Sequence, residues 1–165
     1  MICMNIAEVD LAYIAGFLDG EGCIGYYDAS QTSHNRPSYF HAAVNVCNTD
    51  PKVIFWLREV TGMGRSHIIR FKDGKRRTAY QWQIGRKQDV IDFLSAIRPY
   101  LRVKGEQVDV LLAHLALEAD YVKKHGSVTP EIVKSRQAIS DMLKKMKRVA
   151  ISESVETRQV GSPIH

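Results

Sequence analysis

From Ala7 to Gly20, apolar residues occupy almost every side of what the periodicity predicts to be one helix, and Gly22 breaks it. A helix with such a surface needs burial on most sides, so it must have neighbours on more than one flank. Ala12, Gly16 and Gly20 recur every four residues with Ala15 beside them, a stripe of small side chains that lets another backbone approach closely. Either the protein's own sheet or the same helix of a second copy satisfies that stripe. Asp19 and Glu21 stand at the C-terminal end of this helix, where the macrodipole is already negative. A hard divalent cation such as Mg²⁺ would offset that charge, because it prefers oxygen ligands and needs few protein carboxylates when phosphates and water complete its shell. The same residues also read as Asp19 capping a neighbouring helix while Glu21 is solvated.

Beyond the helix, residues 23–31 and 39–47 read as two strands joined through the turn formers of residues 32–37. In the second strand Phe40, Ala42, Val44 and Val46 alternate with Tyr39, His41, Ala43 and Asn45, giving an apolar face and a wet one. Asp50 as N-cap and Pro51 at the first helical position open a helix that Gly62 closes. Strands over residues 65–72 and 75–84 flank Asp73-Gly74, a strong two-residue hairpin signal that would pair Arg70 with Arg77 and Ser66 with Gln81. That register puts Ser66, Ile68, Arg70, Lys72, Lys75, Arg77, Ala79, Gln81 and Gln83 on one face, and His67, Ile69, Phe71, Tyr80, Trp82 and Ile84 on the other. A helix over 88–97 stops before Pro99; two more follow, over 106–124 and from Thr129 to Val149. The expected order is α-β-β-α-β-β-α with extra C-terminal helices, an α+β domain over residues 1–151, and a polar tail over 152–165.

Charge is unevenly distributed. Residues 1–35 carry Glu8, Asp10, Asp19, Glu21 and Asp28 with no Lys or Arg. Residues 65–87 carry Arg65, Arg70, Lys72, Lys75, Arg76, Arg77, Arg86 and Lys87 against Asp73 alone, more positive charge than the net +5 of all 165 residues. A two-stranded ribbon fits the DNA major groove, where Arg reads guanine and Gln or Asn reads adenine. Candidate base contacts are therefore Arg70, Arg77, Gln81 and Gln83, with Ser66 on the same face, joined by Tyr27, Gln31, Tyr39, His41 and Asn45 from the first hairpin. Lys72, Lys75 and Arg76 near the turn are candidates for phosphates. Lys134, Arg136, Lys144, Lys145, Lys147 and Arg148 form a second basic group on the last helix, read either as a solvated face or as a DNA-backbone contact.

Other classes are excluded. A hydrophobic share of 45% and a charged share of 25% describe an ordinary folded domain rather than a disordered chain. Cys3, Cys23 and Cys47 are odd in number and lack C-x-x-C spacing, which supports neither a disulfide framework nor a zinc site and suits an intracellular, reducing compartment. The longest apolar run, near Leu111 to Leu117, is too short to cross a membrane.

Residues 13–22, Tyr-Ile-Ala-Gly-Phe-Leu-Asp-Gly-Glu-Gly, resemble the motif of the LAGLIDADG homing endonucleases, DNA-cutting enzymes encoded in introns and inteins. The β-β-α-β-β-α order that follows and Pro-Tyr-Leu-Arg-Val-Lys at 99–104 extend the resemblance over roughly residues 8–125. It implies a saddle of antiparallel strands on double-stranded DNA and, for a chain with one motif, a homodimer. Its motif helices would meet at the two-fold axis through Ala12, Ala15, Gly16, Asp19 and Gly20. By the same resemblance Glu21, with Gly20 beside it, matches the metal-binding acid, and Lys104 matches the active-site lysine. Asn48 and Lys52 stand where homodimeric relatives have a Gln and an Arg that order water and phosphate. The cofactor implied is Mg²⁺, with Mn²⁺ or Ca²⁺ able to replace it for binding. Two further readings accompany the endonuclease: a maturase that acts on its own intron RNA, and a DNA-binding protein of the same fold that does not cut.

Overall fold

The computed structural model describes residues 6–29, 39–71, 75–126 and 128–159, with side chains as far as Lys147. The elements are α1 (Glu8–Glu21), β1 (Gly22–Asp28), β2 (Phe40–Asn48), α2 (Pro51–Thr61), β3 (Arg65–Ile69), β4 (Ala79–Ile84), α3 (Lys87–Ile97), α4 (Gly105–His125) and α5 (Pro130–Gln159). A short 3₁₀ turn, Arg98–Tyr100, joins α3 to the loop before α4. The α-β-β-α-β-β-α order expected from the sequence is present, followed by two more helices.

The four strands form one antiparallel sheet in the order β1-β2-β4-β3. Alternation decides its faces: Ile24, Val44, Val46, Trp82 and Ile84 point one way and are buried. Against them pack Ile14 and Leu18 of α1, Ile54 and Leu57 of α2, Phe93, Leu94 and Ile97 of α3, and Leu111 and Leu115 of α4. The Trp82 and Phe93 rings meet edge to face at 5.3 Å.

Local signals account for α2. Asp50 accepts a hydrogen bond from the Lys52 backbone N–H at 2.9 Å, Pro51 starts the helix, and Gly62 (φ 63°) closes it. The last helix runs past the expected Val149 to Gln159, into the region read as a tail. Residues 150–159 contain neither Gly nor Pro, so nothing in the chain breaks the helix before Gly161.

The second hairpin departs from its expected register. β3 pairs with β4 as Arg65↔Gln83, Ser66↔Trp82, His67↔Gln81, Ile68↔Tyr80 and Ile69↔Ala79, one residue away from the register of a two-residue Asp73-Gly74 loop. Residues 72–74, with Lys72 and that dipeptide, lie outside the described residues, as does Gln31. The pairing is pinned at the opposite end of the hairpin. There the Trp82 indole N–H donates to the Met63 carbonyl at 2.9 Å. At Gly64 an added Cβ would sit 2.9 Å from that same indole nitrogen, so only glycine permits the close approach. A one-residue slip exchanges the two faces of β3: Ser66 and Ile68 turn to the side of Trp82 and Tyr80, while Arg65, His67 and Ile69 join Gln81 and Gln83.

Candidate nucleic-acid interface and active site

The wet face of the sheet is built from alternate residues of all four strands: Cys23 and Tyr27; His41, Asn45 and Cys47; Gln81 and Gln83; Arg65, His67 and Ile69. Gln81 donates to the Asn45 Oδ1 at 3.3 Å across the β2–β4 pair. Tyr27, His41 and Tyr39 form an aromatic row, with His41 5.9 Å from Tyr27 and 6.2 Å from Tyr39 between ring centres. This face is not uniformly wet. The Tyr27 ring folds back over Gly25, where any Cβ would collide with it, and Ala43 opposite is fully buried. Beside the row, His41, Arg65, His67, Gln83 and Arg86 line a recess of about 470 Å³, with Asp89 at its rim 3.7 Å from Arg86.

The structure therefore corrects the face expected for Ser66. Ser66 faces the Trp82 side, where its hydroxyl is buried, because its pairing partner is Trp82 rather than Gln81. Arg65 and His67 stand on the wet face instead, which sequence reasoning missed by trusting the turn rather than the tryptophan. Arg70 and Arg77 lie beyond the ends of the ladder and are exposed, as are Lys75 and Arg76; Arg76 stacks over the Phe71 ring at 4.1 Å.

At the other end of the sheet, α1 runs straight into β1, so Glu21 emerges at the edge where β1 begins and β2 ends. Glu21 is exposed and makes no hydrogen bond or ion pair among the described residues. Asp19 behaves differently. Its carboxylate accepts the backbone N–H groups of Arg102, Val103 and Lys104 at 2.7, 3.1 and 2.9 Å, capping the entry into α4, which has no side-chain cap of its own. The Lys104 ammonium closes the same loop by donating to the Asp19 carbonyl. Burial lowers the Lys104 pKa, against the attraction of Asp19, Cys23 and Glu21, and nearby Lys147 adds to the lowering.

Asn48 ends β2 and its Oδ1 accepts the Asp50 backbone N–H at 2.8 Å, which leaves its amide NH₂ for other partners. Lys52 is exposed on the first turn of α2. Two residues beyond Glu21, the Cys23 Sγ lies 3.1 Å from the Lys147 Nζ of α5 and 3.3 Å from the Tyr27 hydroxyl. Burial alone would push the Cys23 thiol up; its contacts with Tyr27 and Lys147 outweigh that and bring it below its ordinary value. Among the described residues, no three of His, Cys, Asp and Glu gather closely enough to hold a metal ion.

The stripe on α1 divides between two environments. Ile14, Ala15 and Leu18 are in the core, whereas Val9, Ala12, Tyr13, Gly16 and Gly20 are exposed on the opposite side. Ala15 is thus spent inside its own chain. An added Cβ at Gly16 or Gly20 meets nothing within 4 Å, so the small residues there are not explained by packing within the chain. Tyr13, stacked on Phe17 and edge-on to Trp56 at 5.4 Å, borders this bare strip.

No family model matches the sequence, and none of the curated proteins matches it either. Solved structures do match. The homing endonuclease I-CvuI, in complex with the I-CreI target in the presence of Mg, superposes with a TM-score of 0.66 at 17% identity, over 84% of this chain and 82% of that one. The archaeal intron-encoded homing endonuclease I-Vdi141I, complexed with DNA, gives a TM-score of 0.64 at 18% identity over 84% of each chain. The LAGLIDADG homing endonuclease I-SmaMI, bound to cleaved DNA, gives 0.61 at 18% identity, over 79% of this chain but 42% of that one. At such identities the likeness is one of architecture, and it agrees with the motif at residues 13–22: this chain has the α+β fold of the LAGLIDADG homing endonucleases.

Proposed function

We propose that the protein is a divalent-metal-dependent, site-specific DNA endonuclease that works as a homodimer and breaks both strands of a long, partly palindromic target. One observation carries this reading. The exposed strip Ala12-Gly16-Gly20, unexplained by its own chain, ends at an unpartnered Glu21 beside Lys104 and at the margin of a face bearing Asn45, Gln81, Gln83, Arg65 and His67. Two copies joined along that strip place their Glu21 carboxylates side by side. The match to 42% of I-SmaMI supports the same arithmetic, since two copies of this chain would account for most of that one.

The donor set fits a hard cation as a shared site and not as a closed cage within one chain. Glu21 from each copy would hold it, with the Gly20 backbone alongside and DNA phosphate and water supplying the remaining oxygens. A bound divalent ion there supplies charge neutralisation at the phosphate and a more acidic water. The chain's own groups do the rest. Lys104, held by the Asp19 carbonyl, places an ammonium near Glu21 to stabilise charge developing on the phosphate. The Asn48 amide and the Lys52 ammonium stand at the turn after β2 as candidates to order water and phosphate. Gln81, Gln83, Asn45, Arg65 and His67 present the donors and acceptors that read base edges, with Tyr27, Tyr39 and His41 alongside. Beyond the ladder, Lys75 and Arg76 meet the backbone, and Arg70 and Arg77 remain candidates for base contacts.

The test is incubation of the purified protein with a duplex library, with Mg²⁺ or with chelator, followed by mapping of ends. The expected result is one family of double-strand breaks that requires the metal. Glu21→Gln should abolish cutting while leaving folding and binding in place; cutting at the wild-type rate by that variant overturns the metal assignment. Binding to structured RNA with no DNA product would favour the maturase reading.

A further inference from the structure

The basic residues of α5 do not behave as one solvated face. Arg136 is buried, donating to Glu118 at 2.8 Å; Lys144 pairs with Asp141 at 3.3 Å; Lys134 and Lys145 are exposed. Lys147 is the exception. It is half-buried, has no carboxylate partner among the described residues, and rests its ammonium on the Cys23 thiol and near the Tyr27 ring, 5.9 Å from the centroid. A cation held against two neutral or weakly acidic groups lacks the counter-charge that normally justifies its desolvation.

Its placement is fixed from a distance. Arg136, Glu118 and the Tyr26 hydroxyl, which donates to Glu118 at 2.6 Å, clamp α5 to β1 and α4. Three turns further along, about 16 Å of helix, Lys147 arrives at the start of β1 on the wet face. Only Gly22 stands between Cys23 and Glu21, the last residue of α1. Lys104 and Lys147 therefore converge on one edge of the sheet. Of the acids there, Asp19 is held by three backbone N–H groups, and Glu21 makes no hydrogen bond or ion pair among the described residues. Lys104 is tied to the Asp19 carbonyl, whereas the Lys147 ammonium rests on a thiol and has no carboxylate partner among the described residues.

We propose that Lys147 is a phosphate-holding residue of this site: in the free chain it rests on Cys23, and on duplex DNA it leaves the thiol for the backbone phosphate next to the one facing Glu21. The proposal rests on the nuclease reading and adds to it a residue that neither the motif nor the sheet face includes.

A methylphosphonate scan tests it. Duplexes of the selected target, each with one neutralised phosphate near the cut, are bound in Ca²⁺ to the Glu21→Gln protein with Lys147 intact or changed to Met, so cutting is not needed for the readout. The expected result is one phosphate whose neutralisation weakens the Lys147 protein about tenfold, in line with a charge-assisted contact, and leaves the Lys147→Met protein unchanged. Lys147→Arg should restore the coupling, and Cys23→Ala, which removes only the resting partner, should keep it. Equal losses for Lys and Met at every phosphate, with binding retained, overturn the assignment and leave the nuclease reading standing. Absence of any duplex binding overturns both.

Discussion

Among single residues, Asp19 and Glu21 show how two acids a turn-end apart acquire different work. Asp19 accepts three backbone N–H groups of the loop that leads into α4, and a charged acceptor makes such bonds stronger than neutral ones. Asp19→Ala should therefore cost about 2 kcal/mol in denaturant unfolding, with Asp19→Asn losing less because one carbonyl oxygen remains. An unchanged midpoint for the alanine variant would show that the loop over Arg102 to Lys104 is capped by water instead. Glu21 has no such employment in the fold, so its replacement by Gln should leave that midpoint where it was. Half of this division was legible in the sequence: Asp19 as a cap was one of two open readings. Which loop it caps was not, because the partners lie more than eighty residues away along the chain.

Helices and strands carry the next set of consequences. The exposed side of α1 offers a sharp test of pairing, because a Cβ added at position 16 meets nothing within 4 Å. Gly16→Arg should fold at least as well as the parent, since glycine inside a helix costs about 1 kcal/mol relative to better helix formers. It should nevertheless sediment as a monomer and fail to cut; a dimer that persists in this variant would remove α1 from the interface. α5 depends on Glu118. Burial would push its carboxyl up, but His114 at 3.5 Å and the hydrogen bonds from Arg136 and Tyr26 outweigh burial and hold it well below the usual carboxylate range. A depressed carboxyl stabilises the fold above its unfolded pKa of about 4.3, and that contribution is lost as pH falls below it. Glu118→Gln should cost about 3 kcal/mol at pH 7, where it strands the buried Arg136. Its deficit relative to the parent should narrow below pH 4, as followed by thermal unfolding across pH. The boundaries of α2 were readable from Asp50, Pro51 and Gly62 because caps act over a few residues. The face of β3 was not, because the register is set by the Trp82 indole reaching the Met63 carbonyl rather than by the turn.

For the whole molecule, the separation of charge matters more than its total. An acid-rich first helix leads into β1 at one edge of the sheet and the basic second hairpin holds the other, so DNA affinity should fall steeply with salt as counterions return to the phosphates. The slope of log affinity against log salt should drop by about 1 for each phosphate-holding lysine removed from a protomer; a slope unchanged by neutralising Lys75 would remove that residue from the backbone contacts. Such a surface was legible as a basic, amide-bearing ribbon before any coordinates. The meeting of Cys23 with Lys147 was not, since no local pattern links residues 124 positions apart. Nor was the burial of Arg136, which looks in the sequence like any other charge on a solvated helix.

The way β3 is fastened has one more consequence. Its pairing is locked at Gly64 and Trp82, whereas the ladder ends at Ile69 and Ala79, nearest the segment that joins the two strands in sequence. Insertions or deletions in that joining segment would therefore leave Arg65 and His67 on the same side of the sheet, so under the proposed function the rail-gripping cations and the base-reading alphabet would be free to diverge independently.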